Sequence, residues 1–145
     1  MSLRDGTKKM SKSDPSDLSR INMTDDPDMI ANKIRKAKTD QYGLPSEPEG
    51  LEGRAEAQNL VSIYAALGDD SIESVLSEIG GKQFSEFKPM LVERATEVLA
   101  PISREMGRIM QDITQLDKVL NSGARKAKSV AEPILQKTFD IIGMK

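Results

Sequence analysis

The sequence predicts an all-α fold, an antiparallel helical bundle of about five helices behind an irregular N-terminal loop. Three observations predict it. Apolar residues recur at steps of three and four over most of residues 24–143. No stretch alternates apolar and polar residues as a half-buried strand does. Aromatic residues are only 3% of the 145, with no Trp, so a core must come from Leu, Ile, Val, Met and Ala on helix faces.

Residues 1–23 show neither period, carry the breakers Gly6 and Pro15 and are rich in Ser, Asp and Lys, which predicts a loose, mobile loop. Asp26-Pro27 is a helix start, with Asp as N-cap and Pro at the first helical position. Ile30, Ile34 and Ala37 follow at helical spacing, and Lys33, Arg35, Lys36 and Lys38 crowd the end where the macrodipole favours cations. Residues 43–53 are a Gly/Pro-rich acidic loop. A second helix spans about 54–67 on Ala57, Leu60, Val61, Tyr64 and Leu67 and stops at Gly68. A short third helix, capped by Asp70 or Ser71, presents Ile72, Val75, Leu76 and Ile79 and ends at Gly80-Gly81. The longest seam runs Phe87, Leu91, Ala95, Val98, Ile102, Met106, Ile109, Ile113 in unbroken phase across Pro101, which predicts one kinked helix. Leu116 and Leu120 extend it to a break at Ser122-Gly123. The last helix carries Ala127, Val130, Ala131, Ile134, Leu135, Thr138 and Ile142 on one arc, kinked at Pro133 and stopped by Gly143. Core packing is the expected role of these apolar seams.

Composition excludes several chemistries. With no Cys, disulfides and thiolate metal sites are ruled out, and with no His so are the imidazole base and the commonest metal ligand. No protein-bound metal is expected. No apolar run approaches the roughly 18 residues of a membrane span, and the N-terminus lacks a signal-peptide core, so a soluble, cytoplasmic chain is the expectation.

Twenty-one basic and 23 acidic residues leave a formal charge of -2, but the spread is uneven. Residues 1–38 hold nine basic and six acidic side chains, and residues 39–80 hold Arg54 alone against nine acidic. The C-terminal stretch has Arg125, Lys126, Lys128, Lys137 and Lys145 against Glu132 and Asp140. Each basic end suits a polyanion, although such runs are commonly solvated helix faces.

One segment carries chemistry: Gly6-Thr7-Lys8-Lys9-Met10-Ser11-Lys12-Ser13. Lys9 and Lys12 stand three apart, interleaved with two hydroxyls and with no carboxylate in the segment. Long-stemmed ammonium groups reach phosphate oxygens, and serine hydroxyls and loop N–H groups add directional hydrogen bonds, so the segment suits a polyphosphate. The glycine spacing of a P-loop is absent.

Lys9-Met10-Ser11-Lys12-Ser13 (KMSKS) resembles the second signature of the first class of aminoacyl-tRNA synthetases. Chance places this pentapeptide in a chain of this size on the order of once in ten thousand, too rarely to treat as coincidence. Lys33-Ile34-Arg35-Lys36-Ala37-Lys38-Thr39-Asp40, Asn59-Leu60-Val61-Ser62-Ile63-Tyr64 and Gly123-Ala124-Arg125-Lys126-Ala127 follow it in an order similar to the C-terminal part of bacterial-type tryptophanyl-tRNA synthetases. The resemblance covers essentially the whole chain.

It implies a part of an ATP-dependent tryptophan–tRNA ligase. The parent enzyme would activate tryptophan with ATP, magnesium-bound as substrate, releasing pyrophosphate, and pass the adenylate to tRNA. Lys9 and Lys12 would be the catalytic residues, neutralising the leaving pyrophosphate. Ser11 and Ser13 would orient phosphates or the loop, and Met10 would pack near adenine. Residues 1–23 would be the loop and linker ending the catalytic domain, and residues 24–145 a helical domain receiving the tRNA anticodon, with Arg125 and Lys128 as candidate contacts. The parent enzyme would be a cytoplasmic homodimer. The family's first signature contains two histidines, and its nucleotide-binding fold and tryptophan pocket precede the pentapeptide, so the chain reads as a fragment, inactive alone, with Met1 open as an internal methionine. Tyrosine enzymes, which normally end in a mixed α/β module, fit less well. The alternative of another class is a non-catalytic all-helical RNA-binding or protein-interaction module.

Overall fold

The computed structural model describes residues 1–144, so Lys145 lies outside the described residues. It contains five α-helices and no β-strand among the described residues, and the all-α expectation holds. The helices are α1 (Pro27–Arg35), α2 (Ala55–Gly68), α3 (Ile72–Ile79), α4 (Phe84–Gln111) and α5 (Ile113–Ile142). Short 3₁₀ turns sit at Asp17–Ser19 and Pro48–Leu51. The chain divides into two compact units, Met1–Glu105 and Met106–Lys145.

In the first unit the N-caps of α1 and α3 are among those the sequence announces, whereas α2 closes on Asp69, at a positive φ of 56°, rather than on Gly68 itself. The Asp26 carboxylate accepts from the Met29 N–H at 2.8 Å with Pro27 opening the helix, and the Ser71 hydroxyl accepts from the Ser74 N–H at 3.1 Å. The core gathers Ile30 and Ile34 of α1, Leu60, Val61 and Tyr64 of α2, Val75, Leu76 and Ile79 of α3 and Phe84, Phe87 and Leu91 of α4. Tyr64 and Phe84 each meet the Phe87 ring edge-on, with centroids 5.4 and 6.5 Å away, so one aromatic cluster locks α4 against α2. Lys88 donates to the carbonyls of Arg35 and Ala37 at 3.0 and 2.7 Å, satisfying groups that the end of α1 leaves open.

The N-terminal segment departs from the loose loop expected for residues 1–23. Leu3 is buried in the core, its N–H donates to Ser19 O at 2.9 Å, and its carbonyl accepts from the Lys38 N–H at 2.8 Å. Helical and strand periods are silent about such a tie because it uses one apolar residue and tertiary backbone bonds.

α4 begins at Phe84, one turn before the first seam residue Phe87, with the Gln83 N–H donating to the Glu86 carboxylate at 2.9 Å. It runs through Pro89 and Pro101 as one helix and ends at Gln111, not at Ser122-Gly123. Asp112 caps the next helix by accepting from the Gln115 N–H at 2.9 Å. α5 then continues through Ser122, Gly123 and Pro133 to Gly143, which takes a positive φ of 72°. One glycine in a helix interior costs only about 1 kcal/mol relative to Ala, and Ala124 and Ala127 beside it favour the helix.

The expected core role of the later seams also fails. Leu91 and Ala95 are buried, but Val98, Ile102 and Ile109 are exposed, and α5 buries none of its side chains. Val130, Ile134, Leu135 and Ile142 form an apolar face open to solvent. Periodicity says that a face is apolar, not that this chain covers it.

Candidate functional site

The KMSKS segment is an exposed turn held at both ends. On the entry side, Ser2 N–H donates to Lys8 O at 2.8 Å, and the Asn59 side chain of α2 donates to Ser2 O at 3.0 Å. Gly6 lies against the start of α2, where a Cβ would overlap the Ala55 backbone carbonyl, so only glycine permits this approach. Asp5 accepts from the Thr7 N–H at 3.1 Å and hydroxyl at 2.6 Å and pairs with Lys8 at 3.1 Å. The Thr7 hydroxyl, then Lys8, pulls the Asp5 carboxyl down to about 2.

That pairing distinguishes Lys8 from the other two lysines of the segment. Lys8 faces Asp5, whereas Lys9 and Lys12 are exposed and make no ion pair among the described residues. Ser11 Oγ accepts from the Ser13 N–H at 3.2 Å and Ser11 O from the Asp14 N–H at 3.3 Å, closing the turn around Lys12. Met10 is half-buried. The structure therefore brings Lys9, Met10, Ser11, Lys12 and Ser13 into one turn with two uncommitted ammonium groups. A polyphosphate fits that donor set: two free cations, two hydroxyls and loop N–H groups, with the nearby Asp5 carboxylate turned onto Thr7 and Lys8.

On the exit side, charged residues that sequence reading missed fasten the segment. Arg20 donates to the carbonyls of Asp14 and Ser11 at 3.0 and 3.4 Å, to Asn22 Oδ1 at 3.2 Å, and pairs with Asp17 at 3.2 Å. Lys33 Nζ sits 2.6 Å from both Asp17 and Asp25. Burial by itself would lower the Lys33 pKa, but the two carboxylates outweigh it and hold the ammonium above its ordinary value. Lys33, together with Asn22, in turn lowers Asp17. Below Lys33 in the chain, Asp40 takes a two-pronged bond from Arg54, at 2.9 and 2.7 Å, that lowers its pKa. The Lys33–Asp40 and Asn59–Tyr64 stretches thus hold the loop and core together.

Those depressed carboxylates fix an acid response. Asp5, Asp17 and Asp40 all titrate below the ordinary 3.8 when folded, so the unfolded chain takes up protons first as pH falls. Their contribution is complete above about pH 5 and is lost progressively towards pH 2. The urea midpoint is expected to fall steadily over that window, and a flat midpoint would contradict the pairing described.

Arg125 and Lys128 lie away from this turn in sequence and in a different unit. Both are exposed on α5 and line one shallow concavity with Lys118, Asn121 and Ala124. Lys128 is 3.7 Å from Glu132, a solvent-exposed pair of little energetic weight. No metal-holding group of His, Cys, Asp or Glu occurs among the described residues, and no described helix is long and apolar enough to cross a membrane.

Comparison with known sequences and structures identifies the family to which this arrangement belongs. Residues 1–100 match the family described as tRNA synthetases class I (W and Y), and the chain belongs to that family. Within it the similar proteins are tryptophan–tRNA ligases. The one from Agrobacterium fabrum is 60% identical over 143 residues, 99% of this chain and 40% of the relative. The one from Caulobacter vibrioides is 50% identical, covering 99% of this chain and 42% of the relative. The tryptophanyl-tRNA synthetase structure from Mycoplasma pneumoniae superposes on the whole chain with a TM-score of 0.78 at 25% identity, covering 45% of that chain. The chain spans about 40% of the length of the curated relatives it matches.

Proposed function

We infer that this chain supplies the leaving-group loop and the tRNA-receiving helices of a tryptophan–tRNA ligase. The observation that carries the reading is the contrast within the loop: Lys8 is paired with Asp5, while Lys9 and Lys12 stay exposed and uncommitted. In adenylation a tryptophan carboxylate oxygen bonds to the α-phosphorus of ATP, and the bond to the β,γ-pyrophosphate breaks. Negative charge accumulates on the departing oxygens. Two ammonium groups aimed at that charge bind it more tightly in the transition state than in the ground state, which is how they raise the rate. The Ser11 and Ser13 hydroxyls would hold phosphate oxygens or the turn itself, and Met10 would pack beside adenine. Magnesium would arrive with ATP rather than on protein ligands.

In this reading residues 1–23 end the catalytic domain, and residues 24–145 form the anticodon-receiving part. The assembled enzyme would work in the cytoplasm as a homodimer. Splicing the chain in place of the matching segment of the Agrobacterium fabrum ligase tests the reading. The chimera should exchange pyrophosphate into ATP only with tryptophan present, and the chain alone should not. A soluble, folded chimera without exchange would overturn it.

Arg125 and Lys128 are the proposed tRNA contacts on α5. Reversing both to Glu should weaken binding of an anticodon stem-loop about tenfold at low salt and reduce the salt slope by about two, as loss of two phosphate contacts requires. Unchanged affinity in a filter-binding titration would remove both residues from the contact.

A further inference from the structure

Arg20 is the point at which the exit side of the KMSKS turn meets the scaffold, and nothing in the phosphate chemistry of Lys9 and Lys12 requires it to be there. Its guanidinium spends its donors in four directions. Nη1 reaches Ser11 O at 3.4 Å and Asp14 O at 3.0 Å, the carbonyls on either side of Lys12-Ser13. Nε reaches Asn22 Oδ1 at 3.2 Å, and Nη2 pairs with Asp17 Oδ1 at 3.2 Å. Behind it, Asn22 Nδ2 donates to Asp17 and Asp25 at 3.1 and 3.3 Å, and its N–H donates to Asp25 at 2.8 Å. Lys33 of α1 closes the chain with its bonds to Asp17 and Asp25, and both Lys33 and Asp25 are buried.

Charges therefore alternate from the loop into the core: Arg20, Asp17, Lys33, Asp25. Each member is held by the next, and the last pair is fixed inside the first unit. A planar guanidinium with five donors can serve two carbonyls, an amide and a carboxylate together, and a lysine ammonium cannot. We propose that Arg20 is a positioning residue for the adenylation step: it clasps the main chain on both sides of Lys12 and ties that turn, through Asp17 and Lys33, to helix α1. The proposal rests on the function inferred above for the loop, but the clasp itself is independent of any activity. Arg20 touches no substrate in this account and acts only through the place it gives Lys12.

Two measurements on Arg20→Gln separate the clasp from the function. In the 145-residue chain, amide order parameters at Ser11–Ser16 should drop from the rigid range, about 0.85, to below about 0.6, while those of α2 stay unchanged. In the chimeric ligase, the adenylation kcat should fall about tenfold with the KM for tryptophan unaltered. Arg20→Lys, which keeps the charge but not the fork, should restore less than half of either loss, and it decides the matter if Arg20→Gln does not fold. Unchanged order parameters at Ser11–Ser16 in a folded variant would overturn the clasp. A loosened turn with an undiminished kcat would overturn the positioning role. If the unmutated chimera shows no exchange, the functional reading fails while the order parameters still judge the clasp.

Discussion

Replacing Lys33 by Met is expected to destabilise the chain by about 3 kcal/mol, a large share of the roughly 5–15 kcal/mol that holds a domain of this size. The cost comes less from the lost attraction than from what remains. Asp25 is buried at 1% exposure, and Lys33 is the cation paired with it. Without that ammonium, the carboxylate keeps, among the described residues, the Asn22 N–H and amide donors at 2.8 and 3.3 Å. Asp17, half exposed, regains water and loses little. Adding Asp25→Asn to Lys33→Met should therefore recover part of the loss, because it removes the uncompensated charge. Urea unfolding followed by circular dichroism reads both effects. A loss below 1 kcal/mol in Lys33→Met would show that the pair is hydrated and that the chain of charges is not a structural anchor.

Lys33 also shows where the sequence was legible and where it was not. Asp26-Pro27, Ser71 and Gly143 announced helix ends correctly, because capping is a local exchange of hydrogen bonds within four residues. Lys33 reads in sequence as one of several cations at the end of α1, but it is buried against Asp17 and Asp25, partners sixteen and eight residues upstream. No local rule reaches them. The boundary between α4 and α5 was missed for the opposite reason. The apolar phase continues smoothly from Ile109 to Ile113, and it outweighed the shorter signal of Asp112 followed three residues later by Gln115.

At the site, the residue types of the pentapeptide suit a polyphosphate, although composition alone fits a solvated Lys/Ser loop equally. They were silent on which lysines are available. The Asp5 carboxylate that pairs with Lys8 also accepts from Thr7, and the clasp by Arg20 depends on two main-chain carbonyls that no side-chain pattern records. Asn59, in sequence one member of a stretch similar to the family, holds the backbone of Ser2 beside the loop.

The largest functional effect is expected at Lys9 and Lys12. In the chimeric ligase, Lys9→Ala or Lys12→Ala should each lower the adenylation rate about a hundredfold, the roughly 3 kcal/mol of one charge-assisted contact made to developing charge. Neither ammonium makes an ion pair among the described residues, which leaves both open to the leaving group in the proposed role. Affinity for tryptophan should barely change, because the proposal assigns neither lysine to the amino acid. Lys8→Ala removes an equally basic neighbour that lies outside the pentapeptide and 3.1 Å from Asp5, and it should cost less than threefold.

Single-turnover adenylate formation in the chimera, at saturating ATP and tryptophan, tests the account most directly because it isolates the chemical step from binding and release. The account predicts about a hundredfold slower bursts for Lys9→Ala and Lys12→Ala, with Lys8→Ala close to the unmutated rate. Equal losses in all three variants would mean that the loop acts by bulk positive charge and would contradict the assignment of Lys9 and Lys12 to the pyrophosphate.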